Sequence, residues 1–337
     1  MNAVGFKTSL PIDDPQSFLD VVVDTPTPTG RELLVQVQAV SVNPVDYKIR
    51  QNAAPNQVLD TPKIIGWDAV GTVVAVGSEV SLFAVGDAVY YAGDITKAGS
   101  YAEYQVIDER IVGRRPARLS IADAAAVPLT ALTAWELFFD RMRLSAERDA
   151  GKTVLIIGGA GGVGSIAIQL AKKVLGLRVI TTASRPETTD WCLQLGADQV
   201  VNHRALVDEI RALGIQQVDY IVDLVDNNAY WDSMVELIKP QGHIASITGS
   251  AQPVALTKLK GKSVTFSWEL MFTRSSFQTD DMIEQHRILT KVAALYDAGV
   301  LVSTLQTQLN GLTAETFRQA HRQLESGTTI GKLVVVF

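Results

Sequence analysis

The sequence predicts an α/β protein with two domains: a β-rich barrel or sandwich, and a doubly wound parallel sheet with helices on both faces. Residues 1 to about 127 contain short alternating segments separated by glycine-containing turns, which is typical of an open barrel or sandwich. Beyond them, nearly continuous apolar runs alternate with helical segments, as expected for parallel strands buried on both faces. The 337 residues are enough to form a core in each domain.

The strands of the first domain are predicted from the alternation of residues along them. The segment LLVQVQAVSVN, residues 33–43, places Leu33, Val35, Val37 and Ala39 on one face of a strand. Further strands are predicted in DAVGTVVAVGSEV, GDAVYYAGD and GSYAEYQVID, with glycine-containing turns between them. These segments are the basis for the β-rich domain.

The second domain begins near PLTALTAWELFFDRM, where apolar residues return at every third or fourth position, as in a helix. Strands are then predicted in TVLIIGG, RVITTAS, VDYIVDLVD and HIASITG, with helices between them. Two more helices follow in MIEQHRILTKVAALYDAG and TAETFRQAHRQLESG; we expect AHRQLESG to form a solvated face and Gly327 to end that helix. The last strand, KLVVVF, is short and needs partners, so the tail is predicted to return to the first domain.

A glycine-rich loop is the strongest local signal. In TVLIIGGAGGVGSIAIQLAKKVLG a predicted strand ends at Ile157 and a helix follows, with a G-x-G-x-x-G pattern between them. Glycine allows a sharp turn and a close approach of pyrophosphate to the backbone, where free N–H groups and the helix dipole attract the anion. The alternative is a tight turn without a ligand. The predicted dinucleotide-binding residues are Gly159, Gly161, Gly162, Val163 and Gly164.

The segment VITTASRPE predicts which dinucleotide binds. Ser184 follows Gly164 by twenty residues, the usual interval to the residue that contacts the ribose. A carboxylate there would accept hydrogen bonds from a 2′-hydroxyl, whereas Ser184 and Arg185 suit a 2′-phosphate. NADPH is therefore the predicted cofactor. The same residues also fit an S-x-x-E capping box from Ser184 to Glu187, and both interpretations can hold together.

Composition and charge exclude several classes of protein. The formal net charge of −6 lacks the basic character of a nucleic-acid-binding protein. No apolar stretch reaches the roughly 18 residues expected of a membrane span, and the N-terminal segment does not have the pattern of a signal peptide. The single cysteine, Cys192, excludes an intrachain disulfide and is compatible with a reducing compartment. We expect a cytoplasmic protein.

At this point the chain resembles a known family. The segments SVNPVDYKIR, IGWDAVGTVVAVG, GSYAEY, AAAVPLTALTAWE, GGAGGVG, LGADQVVNH and VTFSWELMFTRS are similar to those of the medium-chain dehydrogenase/reductase superfamily. The resemblance is to its zinc-free quinone oxidoreductases and the zinc-type alcohol dehydrogenase-like group. It implies a GroES-like domain from residues 1–127 and 275–337, a Rossmann domain from residues 128–274, and a homodimer that pairs strands near residues 264–272.

The resemblance also bears on zinc. Zinc-dependent relatives carry a ligand cysteine where this chain has Asn43, and the histidine of Gly-His-Glu where it has Gly66-Trp67-Asp68. The lobe of four cysteines is missing, and the four histidines are scattered. Catalytic zinc needs about three protein ligands. No metal is therefore predicted, and a zinc-dependent alcohol dehydrogenase is the less favoured alternative.

The family implies an NADPH-dependent oxidoreductase that transfers hydride to quinones or α,β-unsaturated carbonyls. Its Asn-Pro-x-Asp segment assigns Asn43 to orienting substrate or cofactor, and Asp46 to fixing the loop and relaying a proton. Tyr47 is one candidate donor to the substrate oxygen. Many quinone oxidoreductases place the tyrosine one position later, where this chain has Lys48, so Lys48 is the other candidate.

Four further residues are predicted to contact the cofactor. Thr133 matches the family threonine near the nicotinamide. His203 stands where quinone oxidoreductases often have a tyrosine beside the adenosine phosphate, although it could equally be a surface histidine. Val225 and Ile247 follow later strands and should line the same site. An alternative function is an NADPH-binding sensor or scaffold protein with little turnover.

Overall fold

The computed structural model describes all 337 residues and divides them into two compact units. The first unit contains Met1–Leu132 and Phe272–Phe337, and the second contains Thr133–Met271. The sequence-based boundaries, 127/128 and 274/275, fall within five residues of these divisions.

The N-terminal part of the first unit is mostly β-structure, as expected. Its strands are β1 (Asn2–Phe6), β2 (Leu19–Val22), β3 (Glu32–Val42), β4 (Lys63–Ile64), β5 (Asp68–Val76), β6 (Ala88–Tyr91), β7 (Tyr104–Asp108) and β8 (Val112–Arg114). Its helices are α1 (Pro44–Asn52), α2 (Ile121–Ala125) and the beginning of α3 (Pro128–Trp135), in which the chain enters the second unit.

The second unit alternates strands and helices. Its strands are β9 (Thr153–Ile157), β10 (Arg178–Thr182), β11 (Gln199–Val201), β12 (Val218–Asp223), β13 (Ile238–Ser246) and β14 (Thr265–Trp268). Its helices are α4 (Ala146–Asp149), α5 (Gly162–Gln169), α6 (Pro186–Leu195), α7 (Leu206–Ala212) and α8 (Asn227–Leu237). Helical turns of the wider π type continue α3 over Glu136–Arg141 and α5 over Leu170–Val174.

The C-terminal segment returns to the first unit, as predicted. It contributes α9 (Thr273–Phe277), α10 (Glu284–Asp297), β15 (Leu305–Asn310), α11 (Ala314–Glu325) and β16 (Lys332–Val336). Strand β16 pairs in parallel with β15 and antiparallel with β3. The last strand therefore has the partners that its short apolar sequence requires.

The long strand β3 organises the first unit. It lies between β16 and β5 in a sheet of order β15-β16-β3-β5-β6-β8, and its first half also pairs with β7. The residues predicted to share one face, Leu33, Val35, Val37 and Ala39, are all buried, but Leu34 is buried too, so burial alternates only from Val35 to Ala39. Every residue of β3 after Ala39 is buried, so the chain lies in the interior of the unit just before α1 begins.

The second unit is a doubly wound sheet, which confirms the predicted fold class. Its strand order is β11-β10-β9-β12-β13-β14, and all the pairs are parallel. Strand β9 lies inside this sheet, and its apolar residues from Val154 to Ile157 are all buried, as expected for a parallel strand that is covered on both faces. The order reverses beside β9, and in open α/β sheets ligands bind at the carboxyl ends of the strands near this point.

None of the helices combines the length and the apolar character needed to cross a lipid bilayer.

Candidate functional site

The glycine loop, residues 158–164, connects β9 to α5. A Cβ atom on Gly159 would lie 2.0 Å from Thr181 Oγ1, and one on Gly164 would lie 2.2 Å from the carbonyl oxygen of Gly158. These two glycines are required by close packing against β10 and within the turn itself. The loop therefore has the tight strand–helix connection that its sequence predicts.

The second glycine of the pattern, Gly161, is different. A Cβ atom there would meet only the Gly158 carbonyl oxygen, at 3.7 Å. Its φ of −74° is accessible to any residue, so neither packing nor backbone conformation requires glycine. Gly161 caps α5, whose first residues Gly162 and Val163 have N–H groups without partners inside the helix. The open space at Gly161 thus lies next to N–H donors at the start of the helix, so the loop fits a dinucleotide pyrophosphate.

The segment after β10 lies next to this loop. The Gly158 N–H donates to Thr182 Oγ1 at 2.9 Å, which joins the glycine loop to the end of the strand. Two residues later Ser184 is exposed, and Arg185 is partly exposed with its Nε 3.2 Å from Glu187 Oε1. A hydroxyl and a guanidinium thus follow β10 at the position predicted to contact the ribose.

The capping box predicted from Ser184 to Glu187 is wrong. Helix α6 begins at Pro186, and its N-cap is Arg185, whose N–H donates to Thr188 Oγ1 at 3.2 Å. Proline is favoured at the first helical position and disfavours helical conformation in the preceding residue, so the cap falls at the extended Arg185. The side chain of Ser184 is therefore not engaged as the helix cap.

The other predicted cofactor residues are distributed around the second unit. Val225 follows β12, is half exposed, and packs beside the loop, with its Cγ2 2.6 Å from the position of a Cβ atom on Gly158. Ile247 follows β13, and its N–H donates to the Asp223 carbonyl oxygen at 3.2 Å. Thr133 is buried in α3, and His203 opens a short helical turn after β11.

Sequence reasoning missed Asp223, a buried carboxyl group at the end of β12. Its Oδ1 accepts hydrogen bonds from the N–H groups of Val225 and Asp226, and its Oδ2 accepts from the hydroxyls of Ser246 and Thr248. Burial raises the pKa of this carboxyl group, while the hydrogen bonds act against the shift. The side chain joins the loops after β12 and β13, and the aspartate that ends VDYIVD was the available signal.

A second set of functional candidates lies inside the first unit. Six polar side chains, each at most 3% exposed, form a hydrogen-bonded group that we call the buried polar cluster. Its members are Asn43, Asp46, Asp68, Tyr101, His321 and Lys332. Of these, the sequence predicted functional roles for Asn43 and Asp46.

Asn43 is the N-cap of α1, and its backbone N–H and both ends of its side-chain amide form hydrogen bonds. Its backbone N–H donates to Asp46 Oδ2 at 2.8 Å, and Pro44 occupies the first helical position. Its side-chain Nδ2 donates to Asp68 Oδ2 at 2.8 Å and to a backbone carbonyl, while its Oδ1 accepts from Lys332 Nζ. Both ends of the amide are thus engaged within the cluster, which fixes the entry into α1.

Asp46 is connected to two aromatic residues. Tyr101 donates its hydroxyl hydrogen to Asp46 Oδ2 at 2.9 Å, and the hydroxyl oxygen of Tyr101 lies 3.1 Å from His321 Nε2. With Asp46 ionised, this arrangement requires His321 to carry its hydrogen on Nε2 and to donate to the tyrosine. Burial raises the pKa of Asp46 to about 7, and the hydrogen bonds to Asn43 and Tyr101 oppose the shift.

The predicted solvated face of α11 is wrong for His321. This residue is fully buried, with its ring 4.8 Å from that of Phe18, because it follows Ala314 and Phe317 at helical spacing on the inward face. Burial and the nearby Arg50 guanidinium lower the pKa of His321 well below its ordinary value. The imidazole is therefore neutral at physiological pH.

The two candidate oxygen-binding residues follow Asp46 directly in α1. Tyr47 is partly buried, and this burial raises the pKa of its hydroxyl, so the group remains a hydrogen-bond donor. Lys48 is exposed. The cluster holds the first turn of the helix that carries both of them.

The side chains at the positions related to zinc ligands do not fit a zinc ion. The amide of Asn43 and the carboxylate of Asp68 contact the Lys332 ammonium, and Trp67 is buried with its Nε1 donating to the Asp94 carbonyl oxygen. No group of three or more His, Cys, Asp or Glu residues in the structure is arranged to hold a metal ion. The donor set thus lacks the three ligands of a catalytic zinc site.

Comparisons with known proteins identify two family domains in this chain. Residues 29–117 match the alcohol dehydrogenase GroES-like domain, and residues 162–292 match the family described as zinc-binding dehydrogenase. The predicted GroES-like fold of the first unit is therefore confirmed.

Among curated relatives, a zinc-type alcohol dehydrogenase-like protein of Staphylococcus epidermidis is 44% identical over 338 residues, covering 99% of both chains. An NADPH-dependent alkenal/one oxidoreductase from the chloroplast of Arabidopsis thaliana is 34% identical over 229 residues, covering 66% of this chain and 56% of that protein. The first similarity extends over the whole chain, and the second over about two thirds of it.

Several solved structures are similar over 100% of this chain, and two of them show the range of sequence identity. A putative zinc-dependent alcohol dehydrogenase from Rhizobium etli has a TM-score of 0.94 at 45% identity, with 98% of that chain covered. Quinone oxidoreductase from Escherichia coli, complexed with NADPH, has a TM-score of 0.83 at 26% identity, with 100% of that chain covered.

Proposed function

Because this chain belongs to the medium-chain dehydrogenase/reductase superfamily, we propose that it is an NADPH-dependent oxidoreductase that reduces quinones or α,β-unsaturated carbonyls without zinc. The observation that carries the proposal is the cofactor face of the second unit. The glycine loop leaves open space at Gly161. The hydrogen bond from the Gly158 N–H to Thr182 Oγ1 holds this loop beside the end of β10, where the cationic Arg185 follows.

NADPH is proposed over NADH because of the residues after β10. A 2′-phosphate needs donors and positive charge, which Ser184 and Arg185 supply, whereas no carboxylate ends this strand to accept bonds from a 2′-hydroxyl. The ion pair of Arg185 with Glu187 does not prevent this, because exposed pairs contribute at most about 1 kcal/mol and a phosphate can replace the carboxylate. The NADPH complex of the related quinone oxidoreductase supports the same choice.

A conjugated acceptor suits the side chains of the first unit. Reduction of an isolated carbonyl group benefits from a Lewis acid that polarises its oxygen, and the cluster provides no set of zinc ligands. In a quinone or an enone, hydride adds to a carbon of the conjugated system, and the oxygen then needs a hydrogen-bond donor and a proton. The names of two related proteins, quinone oxidoreductase and alkenal/one oxidoreductase, support this class of substrate.

Within this reaction each residue has a physical role. The bound nicotinamide supplies the hydride. Asn43 and Asp46 fix the first turn of α1, and Tyr47 or Lys48 donates a hydrogen bond to the oxygen on which charge develops. Asp46, with a pKa of about 7, can hold or release a proton at its carboxyl group at physiological pH.

The proposal includes a homodimer and a cytoplasmic location. Strand β14 is the end strand of its sheet, and Trp268 and Leu270 beside this edge are 51% and 55% exposed. Exposed edge strands with apolar side chains favour pairing with a second copy across a two-fold axis. The one cysteine, Cys192, is buried and unpaired, as is usual in a reducing compartment.

Turnover of a small panel of acceptors tests the proposed activity. Protein treated with a chelator is mixed with NADPH and either benzoquinone, an enal, an enone, or a saturated aldehyde or ketone, and the loss of NADPH absorbance is followed. Oxidation with the conjugated acceptors alone is the expected result. Turnover that depends on added zinc would contradict the proposal. NADPH binding without turnover of any acceptor would favour the sensor or scaffold function.

A further inference from the structure

Lys332 is a buried lysine in the middle of the first unit. It begins β16 and is 3% exposed, although lysine is among the residues least often buried. The antiparallel register aligns Leu333 with Val42, so Lys332 lies beside the end of β3, where Asn43 begins the turn into α1. Sequence reasoning assigned it no role.

The ammonium group of Lys332 has an acceptor for each of its three hydrogens. It contacts Asn43 Oδ1, lies 3.3 Å from Asp68 Oδ2, and lies 3.4 Å from the Val42 carbonyl oxygen. A buried charge that is paired and hydrogen-bonded in this way avoids most of the cost of losing water. The three surrounding acceptors therefore favour the charged form of the lysine at this position.

The Asp68 carboxylate is the partner of this cation. It is fully buried and accepts two further hydrogen bonds, from Asn43 Nδ2 at 2.8 Å and from the Leu129 N–H at 2.7 Å. Burial raises the pKa of Asp68 and lowers that of Lys332, and the attraction between the two groups opposes both shifts. Asp46 is the other acidic group that acts on Lys332.

The family resemblance implies that Asn43 and Asp68 occupy positions that belong to the metal-binding region in zinc-dependent relatives. Here both side chains contact the same ammonium group instead. We propose that Lys332 is a resident cation that takes the electrostatic place of a metal ion, balancing the Asp68 carboxylate and fixing the Asn43 amide. This inference goes beyond the proposed function, because it concerns charge balance and metal exclusion and does not depend on the substrate.

The contact with Asn43 gives Lys332 a positioning role in addition. Asn43 caps α1 and binds Asp46, so the ammonium group holds the first turn of the helix that carries Tyr47 and Lys48. This second part rests on the proposed function. Lys332 itself is a positioning residue, since it acts on the reaction through the amide of Asn43.

A double-mutant cycle tests the charge balance. The variants Lys332→Met, Asp68→Asn and the double variant are compared with wild type by urea denaturation at neutral pH. Each single change leaves one buried charge or polar group without its partner, so we expect the folding equilibrium constant to fall by about a hundredfold or more. The double variant should fall by much less than the product of the two single losses.

The matched control is the cycle of Lys239→Met and Asp219→Asn. These residues also form an ion pair, at 2.8 Å, but Lys239 is 45% exposed, so its loss should change the folding constant by no more than about fivefold. A coupling between Lys332 and Asp68 no larger than that of the control pair would overturn the proposal. The proposal would also be overturned if the double variant failed to fold while Asp68→Asn still folded, because Lys332 would then contribute by packing alone.

Zinc content and kinetics provide two further readouts. Wild-type protein incubated with zinc and freed of loose ions should retain well under one ion per chain, and one zinc per chain would overturn the proposal. In the double variant, kcat should fall by about tenfold while KM for NADPH stays unchanged, and an unchanged kcat would remove the positioning role. The denaturation and zinc measurements need no turnover, so they stand even if the proposed activity fails.

Discussion

Replacing Arg185 with aspartate should reverse the proposed preference for NADPH. Arg185 follows β10 at the position proposed to contact the ribose and is 39% exposed, so solvent partly screens its charge. Loss of its charge-assisted contact with the 2′-phosphate should cost about 2 kcal/mol, or roughly thirtyfold in kcat/KM for NADPH.

The carboxylate introduced by Arg185→Asp should add to this change in two ways. It replaces a cation with an anion, so it would repel the 2′-phosphate of NADPH. It would also accept a hydrogen bond from the 2′-hydroxyl of NADH, for which we expect a gain of several-fold in kcat/KM. Together with the lost contact, these effects should move the preference between the two cofactors by about a hundredfold.

The assay compares kcat/KM for NADPH and NADH with one acceptor that the protein reduces. Arg178→Asp is the matched control, because Arg178 is exposed at the first position of β10, about 13 Å along the strand from Thr182, and Arg185 lies beyond the other end. The ratio of the two kcat/KM values should shift by less than about threefold in the control, since screening weakens the effect of a charge at this distance. An equal shift in both variants, or no shift in either, would refute the assignment of Arg185.

Three further predictions concern the glycine loop, Asp223 and Asp46. The Gly161→Ala variant should fold normally and bind the dinucleotide about tenfold more weakly in calorimetry. The Gly164→Ala variant should instead have a lower melting temperature, because its Cβ would lie 2.2 Å from a carbonyl oxygen. The reverse pattern would contradict the role of Gly161. Asp223→Ala should cost about 2 kcal/mol in urea denaturation by leaving two hydroxyls and two N–H groups without their acceptor, and a neutral effect would show that water replaces the carboxylate. Burial raises the pKa of Asp46 from 3.8 to about 7, so the folded chain binds the proton more tightly than the unfolded chain. The stability that this proton contributes is therefore complete below the unfolded pKa, and it is lost as pH rises through about 7. The loss should total about 4 kcal/mol, and Asp46→Asn should remove most of it when unfolding is measured at several pH values; an unchanged pH dependence would contradict the shift.

The sequence was most informative where the signals are local. The glycine loop, the end of β9 at Ile157 and the strand–helix alternation all follow from residues within a few positions of one another. The cap of α6 was misassigned by one residue, because S-x-x-E and the proline at the first helical position compete within the same four residues. Local patterns therefore predicted the elements well and one helix boundary less well.

The buried polar cluster could not be predicted in the same way. Lys332 and Asn43 are 289 positions apart, and Tyr101 and His321 are 220 positions apart, so only the folded sheet brings them together. Single-sequence patterns carry no information about such pairs. A lysine at the start of the otherwise apolar KLVVVF and a histidine at helical spacing from Phe317 were the available signals, and both also fit surface positions.

The most direct measurement of the central claim follows the transferred hydrogen. Chelator-treated protein is supplied with an enal and with NADPH that carries deuterium at the transferable position, and the product is analysed by NMR. Hydride addition to the conjugated system predicts one deuterium at the β-carbon of a saturated aldehyde. Deuterium at the carbonyl carbon of an allylic alcohol, or turnover that returns only with zinc, would contradict the account.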